Sequence, residues 1–228
     1  MITAKQAQNT KFSPITKFWW IPVLISSIFL NIFLLLKTHP QSSQGSLVIG
    51  VIDGDTLVLE GKSKVRLRYA DAPELKFCGG IDAKNYLEKL VVGKKVRIDE
   101  QIPDQYGRGM ALVYRDDTLV NSEMLSSGWA KFHHDNSSVT DQLKAVAAKA
   151  KESKQGIFGL CQSKDTPEKA GCLIKGNIDD NSDRKNYYLP NCAQYKFTIV
   201  EKDMGEGWFC SEQEAQAAGF TRAATCAK

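Results

Sequence analysis

The sequence predicts an α+β chain: a β-barrel with helices, in the form of a five-stranded Greek-key barrel of the OB type. One transmembrane helix precedes the barrel and a small Cys-rich α+β module follows it. Three observations lead there. Residues 47–162 hold about five short β-prone runs, with a helical pattern after the third and another after the last. Phe18–Leu36 is a run of 19 residues without a charge. Four of the six Cys fall within the last stretch, residues 166–228. A β-sandwich is the competing fold for the centre, but it would want more strands.

The 228 residues suffice for one ordinary domain with smaller attachments. The net charge of +4 sits entirely at the N-terminus: residues 1–46 contribute +4, residues 47–165 +1 and residues 166–228 −1. Net charge therefore gives no argument for nucleic-acid binding by the rest of the chain, and any such argument must come from placed arginines. None of the Cys forms a C-x-x-C pair, and their spacings lack the usual zinc-finger pattern. An even number suits disulfides, provided the chain leaves the cytosol.

The N-terminus predicts that it does. As a helix, Phe18–Leu36 spans about 28 Å, close to a bilayer core. Lys17 and Lys37 flank it, Trp19 and Trp20 lie at one end, and Pro22 falls in the tolerated first turn. Lys5, Lys11 and Lys17 precede the span. The positive-inside rule then keeps residues 1–17 cytoplasmic and sends residues 38–228 outward, a single-pass protein of the cytoplasmic membrane. A cleaved signal peptide is the alternative, and would make the chain secreted. The apolar run is longer than a typical signal core, and no A-x-A-like site follows it. Residues 37–46 are short, polar and turn-rich and read as a linker.

Leu47–Val51 and Thr56–Glu60 read as strands joined through Asp53-Gly54-Asp55. Gly54 permits a tight turn there, and strand alternation points Asp53 and Asp55 the same way. Lys64–Ala70 is a third strand, with Val65, Leu67 and Tyr69 on one face and Arg66 and Arg68 on the other. Arg68 reads as a solvated strand residue. Asp71-Ala72-Pro73-Glu74 follows, stiffened by its proline. Ile81–Val92 has helical spacing and stops at Gly93. Lys94–Asp99 is a strand, Gln101–Gly107 a polar loop holding Tyr106, and Arg108–Tyr114 a further strand. Leu119–Ser127 reads as strand then short helix, and Thr140–Ser153 as a helix burying Leu143, Val146, Ala147 and Ala150.

Asp53, Asp55, Arg66, Asp71, Glu74 and Arg108 suit phosphodiester hydrolysis. A hard cation, Mg²⁺ or Ca²⁺, held by Asp55 and Asp71 would neutralise the scissile phosphate. Glu74 could take a proton from the attacking water. Two guanidinium forks would complement the charge that spreads over the phosphoryl oxygens.

The segments V-I-D-G-D-T, V-R-L-R-Y-A-D-A-P-E, D-Q-Y-G-R-G and L-V-N-S-E-M-L-S-S-G-W-A, in that order, closely resemble the staphylococcal nuclease (thermonuclease) family over about residues 47–160. The resemblance implies an OB-fold, Ca²⁺-dependent endonuclease acting on DNA and/or RNA, with no small-molecule cofactor. It implies Asp55 and Asp71 as metal ligands, Asp53 as a supporting carboxylate, Glu74 as general base, and Arg66 and Arg108 as phosphate-binding catalytic residues. Tyr106 and His134 are the substrate-binding candidates. The chain departs from the family in Ala72, where D-T-P-E is usual, and in Gln105, where a basic residue is frequent. His133, His134 and Asn136 stand near the family's nucleotide-packing tyrosines, and the loop after Glu74, with Cys78-Gly79-Gly80, is shortened.

Residues 166–228 form the third part. Asn177–Lys185 is polar and turn-like, while Tyr187–Leu189 and Lys196–Glu201 suggest short strands. Ser211-Glu-Gln-Glu214 is a capping box opening a helix through Ala218 that closes at Gly219. A region this small gains from cross-links. Cys172, Cys192, Cys210 and Cys226 offer two disulfides in any of three pairings, with a Cys₄ zinc site as the alternative. Cys78 and Cys161 remain as a third pair. The ending loosely resembles small Cys-containing modules appended to exported nuclease-like proteins.

Three functions follow from these readings. The first is a membrane-anchored, Ca²⁺-dependent endonuclease acting outside the cytoplasmic membrane. The second is a non-catalytic OB-fold module of the cell envelope that binds nucleic acid or protein. The third is a structural or adhesive envelope protein.

Overall fold

Alternating apolar residues build the first three strands: β1 (Ser46–Val51) buries Val48 and Val51, β2 (Thr56–Leu59) Leu57 and Leu59, and β3 (Lys64–Leu67) Val65 and Leu67. The structure is a computed structural model, which describes residues 45–104, 106–179 and 182–226. The expected cytoplasmic N-terminus, the transmembrane span 18–36 and all but the last two residues of the linker lie outside the described residues. Among the described residues no helix is long and apolar enough to cross a membrane.

β1, β2 and β3 form an antiparallel meander. The short β4 (Ala70–Asp71) and helix α1 (Gly80–Val91) follow. β5 (Lys95–Pro103) then returns antiparallel to β1, and β6 (Gly109–Arg115) runs antiparallel to β5. The parallel pairing of β3 with β6, Val65 opposite Gly109 through Leu67 opposite Ala111, closes the ring. The order β1-β2-β3-β6-β5 is the expected five-stranded OB-type topology. β7 (Thr118–Leu119) pairs antiparallel with β6, and helix α2 (Val120–Ser126) leads to β8 (Lys131–Phe132), the antiparallel partner of β4. Helix α3 (Thr140–Glu152) packs on α2. The apolar faces of the three helices, with Leu87, Met124 and Leu143 fully buried, join the strand residues in one core.

Two expectations fail in the barrel. The polar stretch Gln101–Pro103 is strand rather than loop: after a bulge beyond Asp99, Ile102 pairs with Met110 and Pro103 with Gly109. Pro103 is tolerated because it ends the strand. Arg68 is not solvated but 4% exposed. Tyr69 adopts a left-handed conformation, φ 66°, which breaks the strand alternation and turns Arg68 inward. Its guanidinium then donates to Asp135 Oδ2 at 2.7 Å and to the carbonyls of Glu100 and Asn136, each at 3.0 Å. A buried charge with this many partners is a clasp between distant loops.

Helix α4 (Ile157–Leu160) and β9 (Gln162–Ser163) lead out of the barrel. β10 (Ile174–Ile178) and β11 (Lys185–Tyr188) form a hairpin, so Asn177, Ile178 and Lys185 are strand rather than turn. Of Lys196–Glu201 only β12 (Val200–Glu201) is strand, and it pairs back onto β9. β13 (Trp208–Phe209), helix α5 (Glu212–Ala217) and β14 (Thr221–Arg222) complete a four-stranded sheet of order β13-β10-β11-β14. Half of the expected capping box forms: Ser211 Oγ accepts from the Glu214 amide at 3.1 Å, while Glu214 Oε2 reaches past the cap and accepts from the Cys210 amide at 2.8 Å. All six cysteines are joined, Cys78–Cys161, Cys172–Cys210 and Cys192–Cys226, which removes the zinc reading and selects one of the three pairings.

Candidate active site

The Asp53-Gly54-Asp55 segment is a bend between β1 and β2 rather than continuous strand, so its two acids do not alternate as strand residues. Gly54 is required by close approach: a Cβ there would lie 2.6 Å from the Cβ atoms of both Ala72 and Ala83. The bend therefore nests against the Asp71–Glu74 loop and the first turn of α1. Asp53 folds back, and its Oδ1 accepts from the Asp55 amide at 3.1 Å. Asp55 is 2% exposed. Its Oδ1 accepts from the Thr56 hydroxyl at 2.9 Å, and its Oδ2 from the Ala72 amide at 3.1 Å.

Arg66 projects from β3 between two carboxylates. Its Nη2 lies 2.9 Å from Asp55 Oδ2, and the same nitrogen donates to Asp71 Oδ1. Asp71 is placed by the short β4–β8 pairing and is half exposed. Burial pushes the Asp55 carboxyl up to about 7, against the pull of the Arg66 guanidinium.

Asp71 borders three cavities, two of which contain the candidate residues. One, of about 490 Å³, contains Arg66, Arg108, Tyr106 and His133. Arg108 is held there by Asp104, whose Oδ2 accepts from Arg108 Nε at 2.6 Å while its Oδ1 accepts from the amides of Tyr106 and Arg108. The Asp104 bond holds the Arg108 guanidinium firmly protonated, with Asp55 and Asp53 adding to the effect. Tyr106 is 74% exposed, with the Arg108 guanidinium 5.3 Å from its ring centre. His134 packs edge-on against Phe132, and His133 is the histidine that borders this cavity.

The other cavity, of about 200 Å³, contains Asp71, Ala72, Pro73 and Glu74. Glu74 is exposed, and among the described residues its carboxylate makes no hydrogen bond or ion pair. Its loop is drawn tightly onto α1, where a Cβ at Gly80 would come within 2.2 Å of the Glu74 carbonyl oxygen. The far wall of this cavity is Asp203 and Met204, from the C-terminal segment. Lys131 joins the two parts: its Nζ is 3.0 Å from Glu201 Oε2 and 2.8 Å from Asp203 Oδ2. Burial works against the Lys131 ammonium, but Asp203 and Glu201 more than offset it and keep it charged.

The structure thus places Arg66, Asp71 and Arg108 in one cavity and Glu74 in a second that shares Asp71, with Asp55 paired to Arg66 and Asp53 bonded to the Asp55 amide. Asp104, Thr56, Lys131 and Asp203 were not visible as partners in the sequence. For Asp104 a signal existed, since Asp followed by amides two and four residues on is an Asx-type turn pattern. For Asp203 there was none.

Among the described residues no three His, Cys, Asp or Glu side chains come together in a metal-holding group. The pair Asp55 and Asp71 nevertheless fits a hard cation. Both carboxylates already converge on one cationic nitrogen, and both are oxygen donors of the kind Ca²⁺ and Mg²⁺ take.

The family described as staphylococcal nuclease homologue matches residues 64–159. That span includes Arg66, Asp71, Glu74 and Arg108 and stops short of Asp55 and of the C-terminal segment. An uncharacterised endonuclease of Haemophilus influenzae is 36% identical over 121 residues, 50% of this chain and 67% of that protein. An uncharacterised endonuclease of Escherichia coli O157:H7 is 32% identical over 115 residues, 49% of this chain and 74% of that protein. A probable staphylococcal-like nuclease of Oryza sativa subsp. japonica is 33% identical over 104 residues, 46% of this chain but only 27% of that protein.

Proposed function

From the premise that this chain belongs to the staphylococcal nuclease homologue family, we propose that residues 47–162 are a phosphodiesterase domain cleaving DNA and/or RNA as an endonuclease. The observation that carries this reading is the joint placement of Arg66 and Arg108 in one cavity, next to two convergent carboxylates and an unengaged third, Glu74. A non-catalytic binder has no need of three acids that repel phosphate.

In this reading Arg66 and Arg108 bind the phosphoryl oxygens and gain strength as charge develops there. Asp104 fixes the direction of the Arg108 fork. Glu74 accepts the proton of the attacking water, and its exposed, unpaired carboxylate is free to do so. Asp53 holds the Asp55 amide and so the bend that aims Asp55. Asp55 and Asp71 would hold Ca²⁺, with Mg²⁺ second, and the ion would supply charge neutralisation at the scissile phosphate. Tyr106 lines the same cavity and is placed to pack against the substrate.

We also propose that Phe18–Leu36 anchors the protein in the cytoplasmic membrane with residues 38–228 outside it. Pairing of all six cysteines supports an oxidising compartment. The test is hydrolysis of single- and double-stranded substrates with Ca²⁺ and with chelator, in wild type and Glu74→Gln. Wild type should be active only with the ion, and Glu74→Gln should lose about 10²–10⁴-fold. No hydrolysis in any condition would instead favour the non-catalytic envelope binder, and equal hydrolysis in every condition would overturn the roles given to the ion and to Glu74.

A further inference from the structure

A third cavity, of about 560 Å³, runs between α3 and the C-terminal segment. That volume lies within the roughly 300–1,000 Å³ of ordinary ligand sites. It is continuous with the candidate active site in two ways. Asp71 borders it as well as both cavities described above, and His133 borders it and the arginine cavity. Met204, which walls the Glu74 cavity, also forms part of its roof.

We propose that this groove is a second subsite, which holds the sugar–phosphate backbone of a single-stranded polynucleotide as the strand runs on from the acid–arginine centre. The inference rests on the phosphodiesterase reading and extends it to the substrate beyond the scissile bond. It also gives the C-terminal segment, which lies outside the family match, a part in substrate binding.

The wall from α3 carries Lys144 and Lys151, seven residues apart on one helical face, about 10 Å along the axis. Ala147 and Ala148 lie between them, so a backbone can approach the helix closely. Both lysines are exposed, and their ammonium groups make no hydrogen bond or ion pair among the described residues. The acids of the groove are largely engaged: Asp71 by Arg66 and Glu201 by Lys131. Asp183 is the remaining carboxylate in the lining, against two unengaged ammonium groups. Phe132 and the exposed His133 ring add aromatic surface at the end nearest Asp71, where an unstacked base can lie. An uninterrupted duplex cannot offer a base to these rings.

The experiment uses the full chain with a long single-stranded oligonucleotide and a small chromogenic phosphodiester. Lys144→Gln/Lys151→Gln should lower the ratio of kcat/KM for the long strand to that for the small diester by roughly five- to tenfold, through KM. The slope of log Kd against log salt for a labelled strand should become shallower by about 1.4, two phosphate contacts at ~0.7 each. Lys149→Gln, which removes an exposed charge from the same helix outside the groove, should change neither quantity. An unchanged ratio and slope in the double variant overturns the proposal, as does an equal effect from Lys149→Gln. Binding of polyglutamate that weakens in the double variant, while strand binding does not, would reassign the groove to an acidic peptide. If wild type cleaves neither substrate, the phosphodiesterase reading fails separately. Strand anisotropy in chelator, across salt and all three proteins, then still decides the groove.

Discussion

In the barrel, Leu57, Leu67, Leu87 and Leu112 are each at most 1% exposed and belong to one apolar cluster that also takes in faces of α1, α2 and α3. Beyond Cys161 the larger apolar cluster holds Ile174, Tyr187, Phe209, Ala215 and Phe220. That smaller core is accompanied by two disulfides and by buried charged side chains. Lys175 is fully buried with its Nζ donating to the carbonyls of Tyr195 and Thr198, each at 2.8 Å. Glu206 accepts from the amides of Ile178 and Glu201 and from the Asn177 side chain. The difference teaches how chain length divides labour. The long segment sets one disulfide and the Arg68 clasp beside a large apolar core, whereas the short one sets two disulfides and the buried Lys175 and Glu206 beside a small one. The active site lies on the first kind of support and borrows one wall from the second.

The strongest challenge to this contrast is Leu112→Ala. It should cost about 2–5 kcal/mol, read as a shift in the urea transition of the barrel amides. A loss below 1 kcal/mol would mean the barrel core is not the main support. Next comes Cys172→Ser with Cys210→Ser, expected to cost about 2–4 kcal/mol. Hydrogen exchange should show the loss in β10 and β11 and spare β1 to β3. Equal loss in both regions would show that the Lys131–Glu201–Asp203 clasp and the β9–β12 pairing make them one cooperative unit. The smallest effect concerns pH. Burial raises the Glu206 carboxyl from 4.5 to about 7. Between those values the folded protein keeps a proton that the unfolded chain has released. The associated stability is present in full below about 4.5 and is lost as pH rises through about 7, up to about 3 kcal/mol in all. Glu206→Gln should flatten this dependence in the β10–β11 amides, and an unaltered pH profile would assign it to another group.

Much of the barrel was legible because its strands alternate and its turns carry Gly, Pro and Asp at expected places. The acid–arginine set was legible as motifs in order, and Cys78 with Cys161 as the pair left over. What escaped had a common cause: it depended on segments brought together from far apart. Arg68 could be recognised as buried only with the carbonyls of Glu100 and Asn136 in place and with Tyr69 turned to φ 66°. The strand character of Gln101–Pro103 comes from β6, not from its own polar residues. The wall of the Glu74 cavity comes from Asp203 and Met204, well over a hundred residues further along the chain. No local period encodes such meetings.

The Cys78–Cys161 bond joins residues separated by 83 positions and so closes a covalent ring around α1, β5, β6, α2 and α3. A protease that nicks the chain anywhere inside that ring, for example in the exposed turn at Tyr106-Gly107, does not release a fragment. The pieces bearing Glu74 and Arg108 stay tied together until a reductant arrives. Outside the reducing cytosol, a cut protein of this design remains a single molecule.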